Sequence, residues 1–178
     1  MTDAKTLQEQ GVKLYDQQDY EAAARIFQQA QQAYEADNQP DMAAEMLVNI
    51  GLVHRALGEH QQALDMMKKA LQIFQETNDT LRTAQVLGNM GGVYMEMGDK
   101  EQAYNCYRQA ADTFQEAGEK EKYGQTLLAI AKMQFKDGKI WPAAATYEVA
   151  LENLDKLNFS QRVLQRLIKI RNGITGGA

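Results

Sequence analysis

The chain has 178 residues, 44% of them apolar and 24% charged, an ordinary balance for a globular protein with one sizeable core. Its formal net charge of −5 disfavours nucleic-acid binding and general adhesion to anionic membranes, because both need a basic surface. The single cysteine excludes an intrachain disulfide, and with no signal-peptide pattern and no membrane-length apolar run we expect a cytoplasmic protein without membrane insertion.

Five residue positions recur along the chain every 40 residues, as from Gly11 to Gly51. No insertion or deletion interrupts these series. The five series are Gly11, Gly51, Gly91 and Ala131; Ala23, Ala63, Ala103 and Ala143; Phe27, Met67, Tyr107 and Tyr147; Ala30, Ala70, Ala110 and Ala150; and Tyr34, Phe74, Phe114 and Leu154. The small residues let two helix backbones approach closely, and the large residue of each unit fills the space between neighbouring units. A fixed period of this length predicts a repeat protein.

Each 40-residue unit is predicted to be a helix–turn–helix hairpin. In the second unit, Leu47, Ile50 and Gly51 lie on one face of a first helix, and Ala63 and Met67 begin the apolar face of a second. The turn between the two helices contains a glycine that can adopt the left-handed conformation. The glycines are Gly58, Gly98 and Gly138, whereas the first unit has Gln18 there.

The predicted hairpins cover about residues 4–37, 41–77, 80–117 and 120–157. Ser160 is a good N-cap for a last helix to about residue 171, which would cover the open apolar end of the array. The glycine-rich segment 173–178 is expected to be a flexible tail. The sequence therefore predicts an all-α fold in one domain, residues 1–172: an α-solenoid with a right-handed superhelix and a C-terminal capping helix.

These residues resemble the tetratricopeptide-repeat (TPR) signature over residues 4–157: small at the eighth position, Gly at the turn, and Ala-x3-large-x2-Ala on the second helix. The usual TPR unit has about 34 residues. The extra residues are expected to lengthen the helices on both sides of each junction, around 35–42, 76–83 and 116–123. The longer unit resembles the repeats of Pins-type polarity adaptors and of bacterial TPR scaffolds and peptide-sensing regulators.

The resemblance implies a concave groove, lined by the first helix of each hairpin, that binds a peptide or protein segment. The residues predicted to line this groove include Tyr15, Asn49, Leu52, Arg55, Gly88, Asn89, Gly92, Met95, Leu128, Lys132 and Phe135. A clamp for a C-terminal carboxylate is not expected, because no residue at the matching positions is cationic. Those positions hold Gln8, Val12, Asn49, Gln85 and Asn89.

Two features of the groove have alternative interpretations. Asn49 and Asn89 hold equivalent positions in successive units, so their amides either bind the main chain of an extended peptide or hydrogen-bond between helices to set the repeat geometry. Gly88 and Gly92 share one helical face, although glycine costs a helix about 0.5–1 kcal/mol relative to alanine. They admit either a ligand backbone or a closely packed helix.

No catalytic or metal-binding constellation is visible in the sequence. His54 and His60 lie on opposite sides of a turn without other ligands at a suitable spacing, and Cys106 has no activating neighbour. We expect His54 and Cys106 to be packing residues. The sequence therefore predicts no enzyme, no cofactor and no metal.

The predicted function is a non-catalytic protein–protein interaction scaffold or adaptor. An assembly chaperone for a multiprotein complex, for example in photosystem biogenesis, and a peptide-sensing regulator are alternatives within the same class of binding proteins. Homo-oligomerisation stays open. The basic residues from Lys156 to Arg171 either meet an acidic partner or form a solvated face.

Overall fold

In the computed structural model, residues 3–158, 160–163, 165 and 166 are described. The helices are α1 (Ala4–Asp16), α2 (Tyr20–Ala36), α3 (Pro40–Ala56), α4 (His60–Glu76), α5 (Thr80–Met97), α6 (Lys100–Glu116), α7 (Lys120–Lys136) and α8 (Ile140–Asn153). No β-strand occurs among these residues. Of the predicted capping helix, residues 160–163, 165 and 166 are helical. The rest of that helix and the predicted tail 173–178 lie outside the described residues.

A left-handed residue ends the helix at every turn between successive helices of the hairpin array. These residues are Gln18, Asn38, Gly58, Asn78, Gly98, Gly118 and Gly138, with φ between 55° and 83°. They recur at half the interval of the repeat, so turns between hairpins have the same backbone conformation as turns within them. The extra residues at 35–42, predicted to lengthen the two adjoining helices, therefore also contain a turn. In this segment α2 ends at Ala36 and α3 begins at Pro40.

The chain forms two compact units, one extending to Cys106 and the other beginning at Tyr107, with the boundary inside α6. In the first unit, each helix from α1 to α4 packs against the next one, and α3 also contacts α5. In the second unit, α7 packs against α8. Consecutive helix pairs therefore build an α-solenoid, as predicted. The extent of a single domain over residues 1–172 stays a prediction.

Glycine on the first helix allows a large side chain of the second helix to pack against its backbone. A Cβ atom at Gly11 would lie 2.6 Å from the ring of Phe27, and one at Gly51 would lie 3.0 Å from Cγ of Met67. Phe27 and Met67 are almost completely buried. The two helices of a hairpin thus approach as closely as the repeating pattern predicts.

The two alanine series are buried among the helices. Ala23, Ala63 and Ala103 have no exposed surface, and the second series is equally buried at Ala30, Ala70, Ala110 and Ala150. A further small-residue series was missed in the sequence and contains Ala4, Ala44, Ala84 and Gly124, all buried. Cys106 is also buried, as expected of a packing residue, and burial raises the pKa of its thiol.

Substitution of alanine for Gly11 and for Gly88 should have opposite effects on stability. Gly11→Ala should lower the free energy of unfolding by about 1–3 kcal/mol, because the buried Phe27 ring cannot move away without repacking the core. Gly88→Ala should raise it by about 0.5–1 kcal/mol, since a Cβ atom there meets no atom within 4 Å in the described chain. Urea denaturation followed by circular dichroism measures both, and a stabilising Gly11→Ala would contradict the packing.

Replacing Gln18 by glycine should stabilise the first hairpin. Gln18 has φ of 64°, a conformation in which glycine carries no Cβ penalty. We expect Gln18→Gly to raise the free energy of unfolding by about 0.5–1 kcal/mol. The matched control is Gln17→Gly, because Gln17 has φ of −78° and should only lose helix stability. Equal effects of the two substitutions in urea denaturation would contradict the argument.

Candidate functional site

The first helices of the first three hairpins line a cleft in the first unit. The cleft has a volume of about 370 Å³ and is lined by Gln8, Val12, Glu45, Val48, Asn49, Leu52, Phe74, Arg82, Gln85, Val86 and Asn89. A smaller hollow of about 160 Å³ shares three of these residues and adds Tyr15 and Phe27. Four predicted groove residues, Tyr15, Asn49, Leu52 and Asn89, therefore line these two connected surfaces.

Asn49 on α3 and Asn89 on α5 bring two amide side chains to the same cleft. Both residues are half-buried, and neither side chain has a hydrogen-bond partner among residues 3–158 and the described residues beyond. The alternative in which these amides bond between helices is therefore not found in this part of the chain. Each amide keeps one acceptor and two donor hydrogens for a ligand.

The two glycines on α5 have different surroundings. Around Gly88, no atom of the described chain lies within 4 Å of a Cβ position, so a packed helix does not explain this glycine. At Gly92, the guanidinium of Arg55 occupies the space, since its Nη1 atom would lie 2.6 Å from a Cβ. Both glycines were predicted to admit either a ligand backbone or a closely packed helix. Gly88 is next to open space, whereas a side chain of α3 fills the space at Gly92.

Arg55 connects the ends of α3 and α5. Its Nε and Nη2 atoms donate to Oε1 of Glu96 at 2.9 and 2.6 Å, and Nε2 of His60 lies 3.3 Å from the other carboxylate oxygen. The hydrogen bond from Arg55 lowers the pKa of Glu96 below its ordinary value. Arg55, predicted to line the groove, thus has a carboxylate partner of its own.

His54 is half-buried at the end of α3, in keeping with a packing residue. Its Nδ1 atom lies 2.6 Å from Oε2 of Glu59, the residue that precedes α4. The two histidines therefore contact different glutamates, Glu59 and Glu96. No cluster of three or more metal-binding side chains occurs in the described part of the chain.

A charged cluster at one edge of the cleft was missed by sequence reasoning. Nε of Arg82 lies 2.8 Å from Glu45, and its Nη1 lies 3.1 Å from Asp79. The guanidinium also covers the ring of Phe74, 5.6 Å from the centroid. The ammonium of Lys122 covers Phe114 in the same way at 5.8 Å, so a cation and an aromatic residue that recur with the repeat were the available signal.

The remaining predicted groove residues do not line the cleft of the first unit. Met95 is half-buried on α5. Leu128, Lys132 and Phe135 belong to α7 in the second unit, where Leu128 is half-buried and the other two are exposed. Their participation in one groove with Asn49 and Asn89 stays a prediction.

The interaction between Arg55 and Glu96 predicts a pH-dependent contribution to stability. Because the folded pKa of Glu96 is lowered from 4.5, the pair stabilises the fold above that pH and stops doing so as the pH falls through the lower folded pKa. Arg55→Met should raise the pKa of Glu96 toward 4.5, measured by NMR titration of the carboxyl carbon. The loss of stability in this variant should shrink on acidification.

The matched control is Arg108→Met, which removes an exposed contact with Asp112 at 3.9 Å. It should leave the titration of Glu96 unchanged. An unchanged pKa of Glu96 in Arg55→Met would show that the hydrogen bond does not shift the carboxyl group.

The described helices include none that is long and apolar enough to cross a membrane. A search of curated proteins finds no match to this sequence. The structure is similar to the crystal structure of BtubC (BKLC) from P. vanneervenii, with a TM-score of 0.77 and 14% identity over 95% of this chain and 72% of that one. At this identity, the likeness shows the fold alone. The sequence matches the family described as tetratricopeptide repeat at residues 42–115 and 82–156, so the chain belongs to the TPR family.

Proposed function

We propose that this chain is a non-catalytic cytoplasmic scaffold or adaptor that binds an extended peptide segment in the cleft of α1, α3 and α5. TPR repeats generally mediate protein–protein interaction, and proteins of this family are generally non-catalytic scaffolds. The family thus supports the class of function. The proposed location of the ligand rests on the chemistry of the cleft.

The observation that carries the proposal is the pair of half-buried amides at Asn49 and Asn89, which have no partners in the described chain. A half-buried polar group without a partner loses part of its hydration, so a ligand that pairs with it gains more than it would at an exposed site. A peptide main chain offers alternating N–H and C=O groups that match both functions of an amide. Two amides on neighbouring first helices would hold such a chain across the helices.

The smaller hollow supplies a site for an apolar side chain of the ligand. Val12, Tyr15 and Leu52 line it together with the ring of Phe27. Its volume of about 160 Å³ suits one side chain rather than a folded domain. We therefore propose a ligand in which an apolar residue lies next to the main-chain segment held by Asn49.

Removing both amides should weaken peptide binding about 10- to 100-fold, since each lost hydrogen bond is worth about 0.5–1.5 kcal/mol. The ligand is a synthetic peptide chosen from a random display library by the wild-type protein. Titration calorimetry compares its affinity for wild type and for Asn49→Ala/Asn89→Ala. Alanine is favourable in helices, so a loss of affinity would not be due to unfolding.

The control variant is Gln28→Ala/Gln62→Ala, which removes two exposed amides of α2 and α4 that lie outside the cleft. It should bind the peptide as wild type does. Equal affinity of the cleft variant and wild type would contradict the proposed site. Failure of the library to yield any binding peptide would contradict peptide capture altogether.

A further inference from the structure

The turn between α7 and α8 exposes apolar side chains that a globular protein usually buries. Residues 135–142 are all exposed. Trp141 is 83% exposed, Phe135 66% and Ile140 60%. These three side chains extend from the end of one hairpin, in the second unit of the chain.

Three lysines surround this apolar group. Lys132 and Phe135 lie one helical turn apart on α7, Lys136 is next in the chain, and Lys139 directly precedes α8. All three lysines are exposed, and none has an ion-pair partner within the described ranges. By contrast, Arg82 and Lys122 are paired with carboxylates. Asp137 is the only acidic residue between positions 132 and 141.

The corresponding turns of the other hairpins have a different composition. Lys139 occupies the position of Asp19, Glu59 and Asp99, and Trp141 that of Glu21, Gln61 and Glu101. Asp19 and Asp99 accept a hydrogen bond from a main-chain N–H of the helix that follows, which a lysine cannot do. No side chain caps the start of α8. The second hairpin also lacks a side-chain cap, at Glu59, so the feature that sets the fourth hairpin apart is its cationic and aromatic turn.

We infer that this turn, defined by Lys132, Phe135, Lys136, Lys139, Ile140 and Trp141, is a docking surface for an anionic lipid bilayer. Tryptophan and phenylalanine partition into the interface of a bilayer, and lysines beside them attract anionic headgroups. Side chains this exposed extend away from the protein, and a headgroup layer accepts them without a shaped pocket. The net charge of −5 opposes binding of this turn to an anionic bilayer only weakly, because salt screens charges beyond about 8–10 Å.

This surface shares no residue with the cleft, and its test needs no peptide ligand. Trp141 is the only tryptophan in the sequence, so tryptophan emission, excited at a wavelength that the tyrosines do not absorb, reports on this turn alone. Vesicles made of equal parts phosphatidylcholine and phosphatidylglycerol should shift its emission to shorter wavelength and should sediment with the protein. Vesicles of phosphatidylcholine alone should bind it at least about 10-fold more weakly, and added salt should weaken binding to the anionic vesicles.

Two variants separate local charge from net charge. Lys132→Glu/Lys136→Glu should reduce partitioning onto the anionic vesicles by about 10-fold or more. Lys68→Glu/Lys69→Glu makes the same change in net charge at exposed residues of α4 and should bind nearly as wild type does. Equal losses in both variants would overturn the assignment to this turn.

Lys139→Asp provides a variant in which poor folding cannot explain a loss of binding. It restores the acidic residue found before the second helix of the other hairpins, so it should raise the melting temperature and lower vesicle binding together. Binding equal to wild type, or no emission shift of the wild-type protein on anionic vesicles, would overturn the inference. If the emission shifted only when an acidic protein was added, and not with vesicles, the inference would also be wrong, and the surface would bind a protein instead of a lipid.

Discussion

The structure depends on one steric constraint, the contact between a small residue on the first helix of a hairpin, glycine in the first three and Ala131 in the fourth, and a large side chain on the second helix. A Cβ atom at Gly11 would lie 2.6 Å from the Phe27 ring, which leaves no room for it, and one at Gly51 would make a tight contact of 3.0 Å with Met67. Close packing at this point fixes how the two helices cross. The same contact recurs in the next hairpin, so successive hairpins are similar. The left-handed residue at each turn then returns the chain to the same geometry.

The same register that packs the hairpins also positions the candidate ligand groups. Asn49 and Asn89 each lie two positions before a glycine of the packing series, Gly51 and Gly91. A residue two positions away on a helix points to a different face, so the packing contact turns the asparagines toward the cleft. The packing of the hairpins therefore determines where the two amides lie.

The sequence predicted the helical hairpins and their register because small and large residues recur at fixed positions. The regular spacing of all the turns was missed, since Asn38 and Asn78 adopt a left-handed conformation that sequence analysis assigned only to glycine. Arg55 and Gly92 were placed in the groove from repeat position alone, yet a long side chain from one hairpin fills the gap left by a glycine in the next. Interactions between neighbouring repeats are not visible in a position-by-position comparison.

At two departures from the repeat, a different residue should be more stable than the one present. Gly88 lies next to open space in a helix where alanine would be more stable, and Lys139, next to the exposed Trp141, stands where the first three hairpins have an acidic residue. The small and buried positions that follow the pattern, such as Gly51 and Ala63, are explained by packing. These two positions are not, and each lies next to a surface for which a ligand is proposed.

The most direct test of the cleft is hydrogen exchange with water at the side-chain amides of Asn49 and Asn89, measured by NMR. In the free protein, both amides should exchange rapidly, because they have no hydrogen-bond partner in the described chain. Addition of a bound peptide should slow both. Slow exchange in the free protein would show that the repeats already use these amides, and the proposed ligand site would then be wrong.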